Sequence, residues 1–276
     1  MHSLQANLLS VSIVVYRPDL AQLTKTLSSL LGAIERLDIV RRGARAIVYM
    51  VDNGETPTSL PSLDAFRASG IPCVLVGEHG NVGYGRGHNL AIERAASDYH
   101  LVLNPDIDLD ADALVAAFDF FDAHPDVGLL SPRIADQHGH PQFLCRRYPA
   151  LLDLLVRGFL PHAIRWPFEA RLARYEMRDC MTGSEVFLDP PIVSGCFMLF
   201  RTEVLKRIGG FDPRYFLYFE DYDLSLRTRD VAHLAFVPSV RVVHHGGGAS
   251  RKGFAHIRMF AASALKFYRR FGWRWW

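Results

Sequence analysis

Four short runs of apolar and β-branched residues in the first 125 positions constrain this chain most. They are Val11-Ser12-Ile13-Val14-Val15-Tyr16, Ala46-Ile47-Val48-Tyr49-Met50-Val51, Cys73-Val74-Leu75-Val76 and Tyr99-His100-Leu101-Val102-Leu103. The runs are continuous, unlike the alternation of a strand with one wet face, and helical spacing follows them. Asp19 stands as an N-cap before Leu20, Leu23, Leu27, Leu30 and Leu31, and further helices are expected over 89–96 and 111–123. This pattern predicts an α/β fold with a mainly parallel central sheet and helices on both faces. Ligands of such sheets bind at the carboxyl ends of strands. Tyr16, Asp52, Asn81 and Asp106 all fall at or just past such ends.

Beyond residue 124 the alternation weakens. A strand is expected at 127–130, a hairpin or loop over 139–149, helical structure over 150–185 and a strand over 193–201. Thr202 then caps a short helix that Gly209-Gly210 stops. No repeat, low-complexity tract or linker divides the 276 residues, so a single domain is expected. With 49% hydrophobic and 22% charged residues, disordered and collagen-like chains are excluded. A formal charge of +2 provides no overall field for nucleic acid. Cys73, Cys145, Cys180 and Cys196 lie far apart with no C-x-x-C spacing, which suits buried thiols in a reducing compartment. The N-terminus lacks the basic lead and apolar core of a signal peptide, and no run reaches the ~18 apolar residues of a membrane span. These features lead to an expectation of a cytoplasmic protein. At the C-terminal end, Arg258, Lys266, Arg269, Arg270 and Arg274 interleave with Phe260, Phe267, Tyr268, Phe271, Trp273, Trp275 and Trp276. That reads as an amphipathic helix packed on the domain, with contact to the inner membrane face as an additional role.

Several polar constellations carry chemistry. Asn104-Pro105-Asp106 follows a buried strand directly, a rigid position for a carboxylate that binds a hard divalent ion; the plainer reading is a turn, with Asp108, Asp110 and Asp112 capping the next helix. The stretch from Asn81 through Gly83, Gly85 and Gly87 to Asn89 offers backbone N–H groups at a helix mouth for a phosphate or nucleotide. It is not the dinucleotide fingerprint, because His88 stands at the third glycine, and a purely structural turn is the alternative. Glu220-Asp221, set between Phe219 and Tyr222, suits a general base whose pKa burial and a second carboxylate raise; an exposed helix start paired with Arg227 or Arg229 is the alternative. His244-His245 ends an apolar strand and offers a ligand to complement Asp106, or a satisfied structural histidine. The following Gly246-Gly247-Gly248 suggests an oxyanion loop, but no G-x-S-x-G elbow exists and the hydrolase reading is set aside.

Taken in order, these segments together with Arg146-Arg147-Tyr148-Pro149, Ser194-Gly195-Cys196, Gly209-Gly210-Phe211-Asp212 and His244 to Ser250 closely resemble the family 2 glycosyltransferases, in particular the rhamnosyltransferase-like branch. The resemblance implies the GT-A fold, with residues 1–125 as nucleotide-sugar-binding half, 126–250 as acceptor and catalytic half, and 251–276 as a basic aromatic helix. It implies Tyr16 against the base, Asp52 bonded to it, and Asn81, Gly83 and Asn89 around the nucleoside. Asn104 and Asp106 stand at the family's D-x-D; Asn104 departs from it, leaving Asp106 to the metal and Asn104 to ribose or phosphate. Asp221 matches the catalytic base, Glu220 its acidic neighbour, and His244 the late metal-binding histidine, with His245 as the other candidate. The implied activity is inverting transfer from a dTDP- or UDP-sugar, dTDP-L-rhamnose foremost, with Mg²⁺ or Mn²⁺, onto a glycan or lipid-linked acceptor. A non-catalytic sugar-nucleotide or glycan-binding module is the alternative from another class.

Overall fold

Burial on both faces accounts for three of the four unbroken apolar runs; in the run at the sheet edge, Cys73–Val76, Val74 and Leu75 are exposed. The computed structural model describes residues 8–54, 61–161, 164–181, 184–246 and 253–276. The N-terminal seven residues and the 247–250 part of the histidine-glycine motif lie outside the described residues. Strands β1 (Leu9–Val15), β2 (Ala46–Asp52), β3 (Cys73–Val76) and β4 (Tyr99–Leu103) lie parallel in the order β3-β2-β1-β4. Every residue of β1 and β4 is buried. Helix α1 (Leu20–Val40) begins at Asp19, whose carboxylate accepts from the N–H groups of Ala21 and Gln22. With α2 (Pro61–Ala68) it covers one face, where its leucines join Val11, Ile13 and Val15 in one core. Helix α3 (Tyr84–Ile92) covers the other, packing on Val14 and Val51.

Helix α3 starts earlier than residue 89 for a steric reason. A Cβ at Gly85 would sit 2.8 Å from Cβ of Phe211, and one at Gly87 would sit 2.9 Å from a methyl of Val14. These glycines let a helix approach a strand and a loop closely, so they do not form a turn around a ligand. Only Gly83, at φ +91° and pressed against the Phe216 carbonyl, belongs to the turn before the helix.

The second half closes the sheet with mixed directions. Strand β5 (Ile107–Leu109) and helix α4 (Ala113–Ala123) precede β6 (Val127–Ala135). Helices α5 (Leu151–Phe159) and α6 (Glu169–Tyr175), with a 3₁₀ turn at Trp166–Phe168, occupy the region expected to be helical. Then come β7 (Phe187–Leu188), β8 (Phe197–Arg201), α7 (Thr202–Arg207), α8 (Glu220–Arg229), β9 (His233–His244) and α9 (Phe254–Phe271). The order is β3-β2-β1-β4-β8-β6-β9-β5, with β8 antiparallel to both neighbours, β9 parallel to β6, and β5 and β7 antiparallel on β9. Instead of a hairpin, 139–149 makes two isolated bridges, Ala135 with Pro141 and Arg146 with Ile192. Helix α9 buries Phe267 and Tyr268 against Tyr215, Phe219 and Leu154, and Arg270 reaches Asp212 and Asp223 at 2.8 and 2.9 Å. All four cysteines are free thiols; burial pushes Cys145 and Cys196 up to about 12.

Candidate active site

The sheet brings Asp106 and His244 together because β5, directly after Asp106, pairs with the end of β9: Ile107 lies opposite His244. Nε2 of His244 faces Oδ2 of Asp106 at 3.6 Å, and the other oxygen, Oδ1, is buried with no hydrogen-bond partner among the described residues. A buried carboxylate oxygen is costly unless a hydrogen bond or a cation meets it, and a cation between Asp106 and His244 would do so. A Cβ on Gly246 would collide with Asp106 Oδ2 and stand 2.6 Å from His244 Nε2, so this glycine keeps the space between them open. Gln142 orients the imidazole. Its Nε2 donates to the His244 carbonyl at 3.1 Å, which leaves Oε1 to accept from Nδ1–H at 2.9 Å and the Nε2 lone pair of His244 facing Asp106. An oxygen and an imidazole nitrogen so arranged fit Mg²⁺ or Mn²⁺ when phosphate oxygens and water complete the shell. His245 turns away to Asp108 at 2.7 Å, and Asp108 also accepts from Gln22. Asp108 is therefore a strand residue and not a helix cap, and the ring that faces Asp106 is that of His244.

Glu220 and Asp221 open α8 after two non-glycine residues in the left-handed region, Tyr218 at φ +71° and Phe219 at φ +66°. Such backbone is unfavourable by of order 1–3 kcal/mol per residue and persists where packing imposes it; here Phe219 is wedged among Tyr222, Phe260 and Phe267. The bend turns both carboxyls inward. Glu220 is 5% exposed, its Oε2 has no partner among the described residues, and burial followed by the charge of Asp221 pushes its pKa up to about 8. Burial also raises Asp221, opposed by hydrogen bonds from the N–H groups of Gly195 and Tyr222, both at 3.0 Å. Gly195 admits this approach: a Cβ there would be 3.2 Å from that of Asp221. Its carbonyl accepts from the Tyr84 hydroxyl at 2.6 Å, tying the base of α3 to α8. The third carboxylate, Asp223, is fully buried between Arg227 and Arg270 and is structural.

The residues expected around a nucleoside divide. Tyr16 is 49% exposed at the end of β1, where a Cβ added at Gly54 would stand 3.9 Å from its ring, and Asp52 shapes that turn by accepting from Gly54 N–H at 2.8 Å. Asn81 accepts from Gly83 N–H at 3.0 Å, and Asn53 donates to the Gly83 carbonyl. Asn104 leaves β4 with its N–H on the Cys196 carbonyl at 2.9 Å. Asn89 is different: its amide donates to the Phe211 carbonyl at 2.8 Å and accepts from the Phe211 N–H at 2.9 Å. Both ends are engaged with one loop residue, so Asn89 is a strut under α3 and not a nucleoside contact.

Glu220 and Asp221 line a cavity of about 720 Å³ walled by Arg146, Arg157, Glu176, Tyr218 and Phe260. The two acid centres are linked through residues 194–196: the Gly195 N–H donates to Asp221, and the Cys196 carbonyl accepts from the N–H of Asn104, two residues before Asp106. A carboxylate at this junction can take a proton from a hydroxyl held in the cavity. Gln142 and Tyr84 were not among the residues singled out above; each lies in an irregular or glycine-rich stretch with no local pattern to mark it.

Residues 7–276 match the profile of the glycosyltransferase like family 2. Over 97% of its length the chain is 30% identical to the N-acetylglucosaminyl-diphospho-decaprenol L-rhamnosyltransferase of Mycobacterium tuberculosis, covering 86% of that protein. It is 28% identical over 205 residues to the rhamnosyltransferase WbbL of Escherichia coli K12, covering 69% of this chain and 72% of that one. Among solved structures, S. aureus TarS 1–349 in complex with UDP-GlcNAc superposes with a TM-score of 0.59 at 15% identity, over 94% of this chain and 66% of that one. GalNAc-T7 with UDP, GalNAc and Mn²⁺ does so with a TM-score of 0.59 at 14% identity, over 88% of this chain and 45% of that one. The fold is GT-A, and the chain belongs to glycosyltransferase family 2.

Proposed function

We propose that this protein is an inverting, divalent-cation-dependent transferase that moves L-rhamnose from dTDP-L-rhamnose to a lipid-linked or polysaccharide acceptor in cell-surface glycan synthesis. The observation that carries the reading is the pair of acid centres linked through residues 194–196, Asp106 with His244 on one side and Asp221 on the cavity side. The rhamnose assignment is supported by the names of the two sequence relatives.

In this mechanism the acceptor hydroxyl lies in the cavity against Asp221. Its oxygen forms a bond to the anomeric carbon, its proton passes to Asp221, and the bond from that carbon to the phosphate oxygen breaks, releasing the nucleoside diphosphate. A single displacement inverts the carbon, and no carboxylate has to serve as covalent nucleophile. Asp106 and His244 would hold Mg²⁺ or Mn²⁺, which supplies Lewis-acid stabilisation of charge on the departing diphosphate. Tyr16 stacks on the base, Asp52 bonds it, Asn81 and Gly83 close the turn beside it, and Asn104 meets ribose or phosphate. Glu220, held protonated by burial, donates a hydrogen bond to a sugar hydroxyl next to Asp221. A UDP-hexose is the second reading, favoured by neighbours solved with UDP or UDP-GlcNAc. A non-catalytic binding module is disfavoured, because it would have no need of a buried acid pair beside the cavity. Peripheral contact with the inner membrane face would come from the C-terminal end, where Trp275 and Trp276 are 65% and 78% exposed. Product analysis after incubation with dTDP-L-rhamnose and with UDP-hexoses tests the donor: transfer of rhamnose with inverted configuration supports the reading, and transfer only from UDP-sugars replaces it.

A further inference from the structure

Tyr84 joins the turn expected at the nucleotide to the acid pair. It is the first residue of α3, directly after Gly83, whose N–H donates to Asn81. Its own N–H donates to the Phe216 carbonyl at 3.0 Å, in the loop that leads into α8. Its hydroxyl donates to the Gly195 carbonyl at 2.6 Å, in the segment that faces the first turn of α8. One residue of the turn therefore fastens the backbone on both sides of the acid pair.

The aim of Asp221 depends on that segment. Oδ1 accepts from the Tyr222 N–H, a bond inside α8 that moves with the helix. Oδ2 accepts from the Gly195 N–H at 3.0 Å and so takes its direction from outside the helix. Residues 194–196 belong to no strand, so no sheet ladder holds Gly195. Its neighbours are pinned, Val193 by the Ser225 hydroxyl of α8 and Cys196 by the Asn104 N–H at 2.9 Å. The carbonyl of Gly195 itself is met by Tyr84.

The Tyr84 ring is held in turn. His88, 0% exposed with Nδ1 at 2.7 Å from the Ser12 hydroxyl, meets it edge to face at 4.5 Å, and Phe211 does so at 5.9 Å. Any packed tyrosine needs an acceptor for its hydroxyl; what sets this one apart is that the acceptor residue also holds Oδ2 of Asp221. A side chain locked by packing is suited to aim the group it bonds.

We propose that Tyr84 is a positioning residue for sugar transfer: its hydroxyl fixes Gly195, and the Gly195 N–H in turn fixes the Asp221 carboxylate relative to the nucleotide turn. This rests on the reading of Asp221 as the base that takes the acceptor proton. Misalignment of such a base lowers kcat and leaves donor binding in place.

The test uses Tyr84→Phe, which keeps the ring contacts and removes the hydroxyl, with Tyr49→Phe as a matched control. Tyr49 lies in β2, and its hydroxyl donates to the Arg94 carbonyl at 3.2 Å, just past the other end of α3. Transfer is measured from dTDP-L-rhamnose to N-acetylglucosaminyl farnesyl diphosphate, and hydrogen exchange of the Gly195 amide is followed by NMR. Tyr84→Phe is expected to lower kcat by about tenfold to a hundredfold with the donor KM within about twofold of native. Gly195 exchange should quicken by about threefold to tenfold, while the Tyr222 amide, bonded within α8, keeps its rate. Tyr49→Phe should change neither kcat nor Gly195 exchange. The proposal is overturned by a Tyr84→Phe kcat within about twofold of native, or by an equal loss in Tyr49→Phe. A donor KM that rises at unchanged kcat also overturns it and makes Tyr84 a nucleotide contact. Unchanged Gly195 exchange overturns it whatever the rates. If the native chain transfers no sugar the transfer reading fails, and exchange alone then decides whether Tyr84 fixes the Asp221 carboxylate: quickened in Tyr84→Phe it does, unchanged it does not.

Discussion

Gln142 holds the imidazole of His244 at both ends of its own amide, accepting from Nδ1 at 2.9 Å and donating to the His244 carbonyl at 3.1 Å. This fixes which ring nitrogen faces Asp106. Outer groups that orient a ligand in this way typically contribute 10–100-fold to metal affinity. Gln142→Ala is therefore expected to raise the Mn²⁺ concentration for half-maximal activity by about 10–100-fold, with much of the turnover recovered at saturating metal. A metal titration of donor turnover checks this; an unchanged half-saturation point would remove Gln142 from the site.

Glu220 makes stability fall as pH rises. Its pKa stands near 8 in the fold against 4.5 as its ordinary value, so between these limits the folded chain binds more protons than the unfolded one. Stability is greatest below about pH 4.5 as far as this group is concerned, declines by up to ~1.4 kcal/mol per pH unit through the window, and levels off above about 8. Glu220→Gln should flatten that slope and be more stable than the native chain at pH 8. Urea denaturation at pH 5.5, 7 and 8.5 reads the difference; parallel profiles for the two proteins would refute it.

Gly85→Ala tests whether the glycines of α3 serve packing. In an exposed helix interior this change stabilises by roughly 0.5–1 kcal/mol. Here the new methyl would stand 2.8 Å from Cβ of Phe211, and overpacking of this kind costs about 1–3 kcal/mol. A lowered denaturation midpoint is expected; a raised one would mean that the loop at Phe211 yields freely.

Membrane contact has to be tested at Trp275 and Trp276. Removing residues 265–276 would also remove Phe267 and Tyr268, which are 0% and 1% exposed, and would cut the Arg270 links to Asp212 and Asp223. Replacing both exposed tryptophans by Ala should lower partition onto anionic vesicles roughly tenfold and leave the thermal midpoint in place. If the intact chain does not sediment with vesicles, α9 is a packing helix only.

Local pattern carried the first half of the fold because β1, β2 and β4 are buried on nearly every side, and such strands announce themselves as apolar runs. It also located the strand-end polar residues, since each apolar run stops at the rim. Strand β5 left no such mark: Asp108 sits inside it, and its pairing is decided by β9, far along the chain. The glycines before Asn89 were ambiguous for a similar reason, because only the approach of Phe211 and Val14 distinguishes a packed helix from a ligand turn. Asn89 carried a polar side chain at a plausible position, yet its partner is the backbone of Phe211. The acid pair was legible because two carboxyls among aromatic residues are expensive in any fold, whereas the arginines that meet Glu176 come from three separate segments and no spacing links them.

In the proposed mechanism Asp221 is the base and Asp106 the carboxylate of the cation site. The most direct measurement is release of nucleoside diphosphate from dTDP- and UDP-sugars in the presence of acceptor, with Mn²⁺ or Mg²⁺ and with chelator, for the native chain, Asp221→Asn and Asp106→Ala. The expected result is turnover of one donor that chelator abolishes, with a loss of about 10²–10⁴-fold in Asp221→Asn while that variant still binds nucleotide. Turnover that persists in chelator, or an Asp221→Asn variant as active as the native chain, would contradict it.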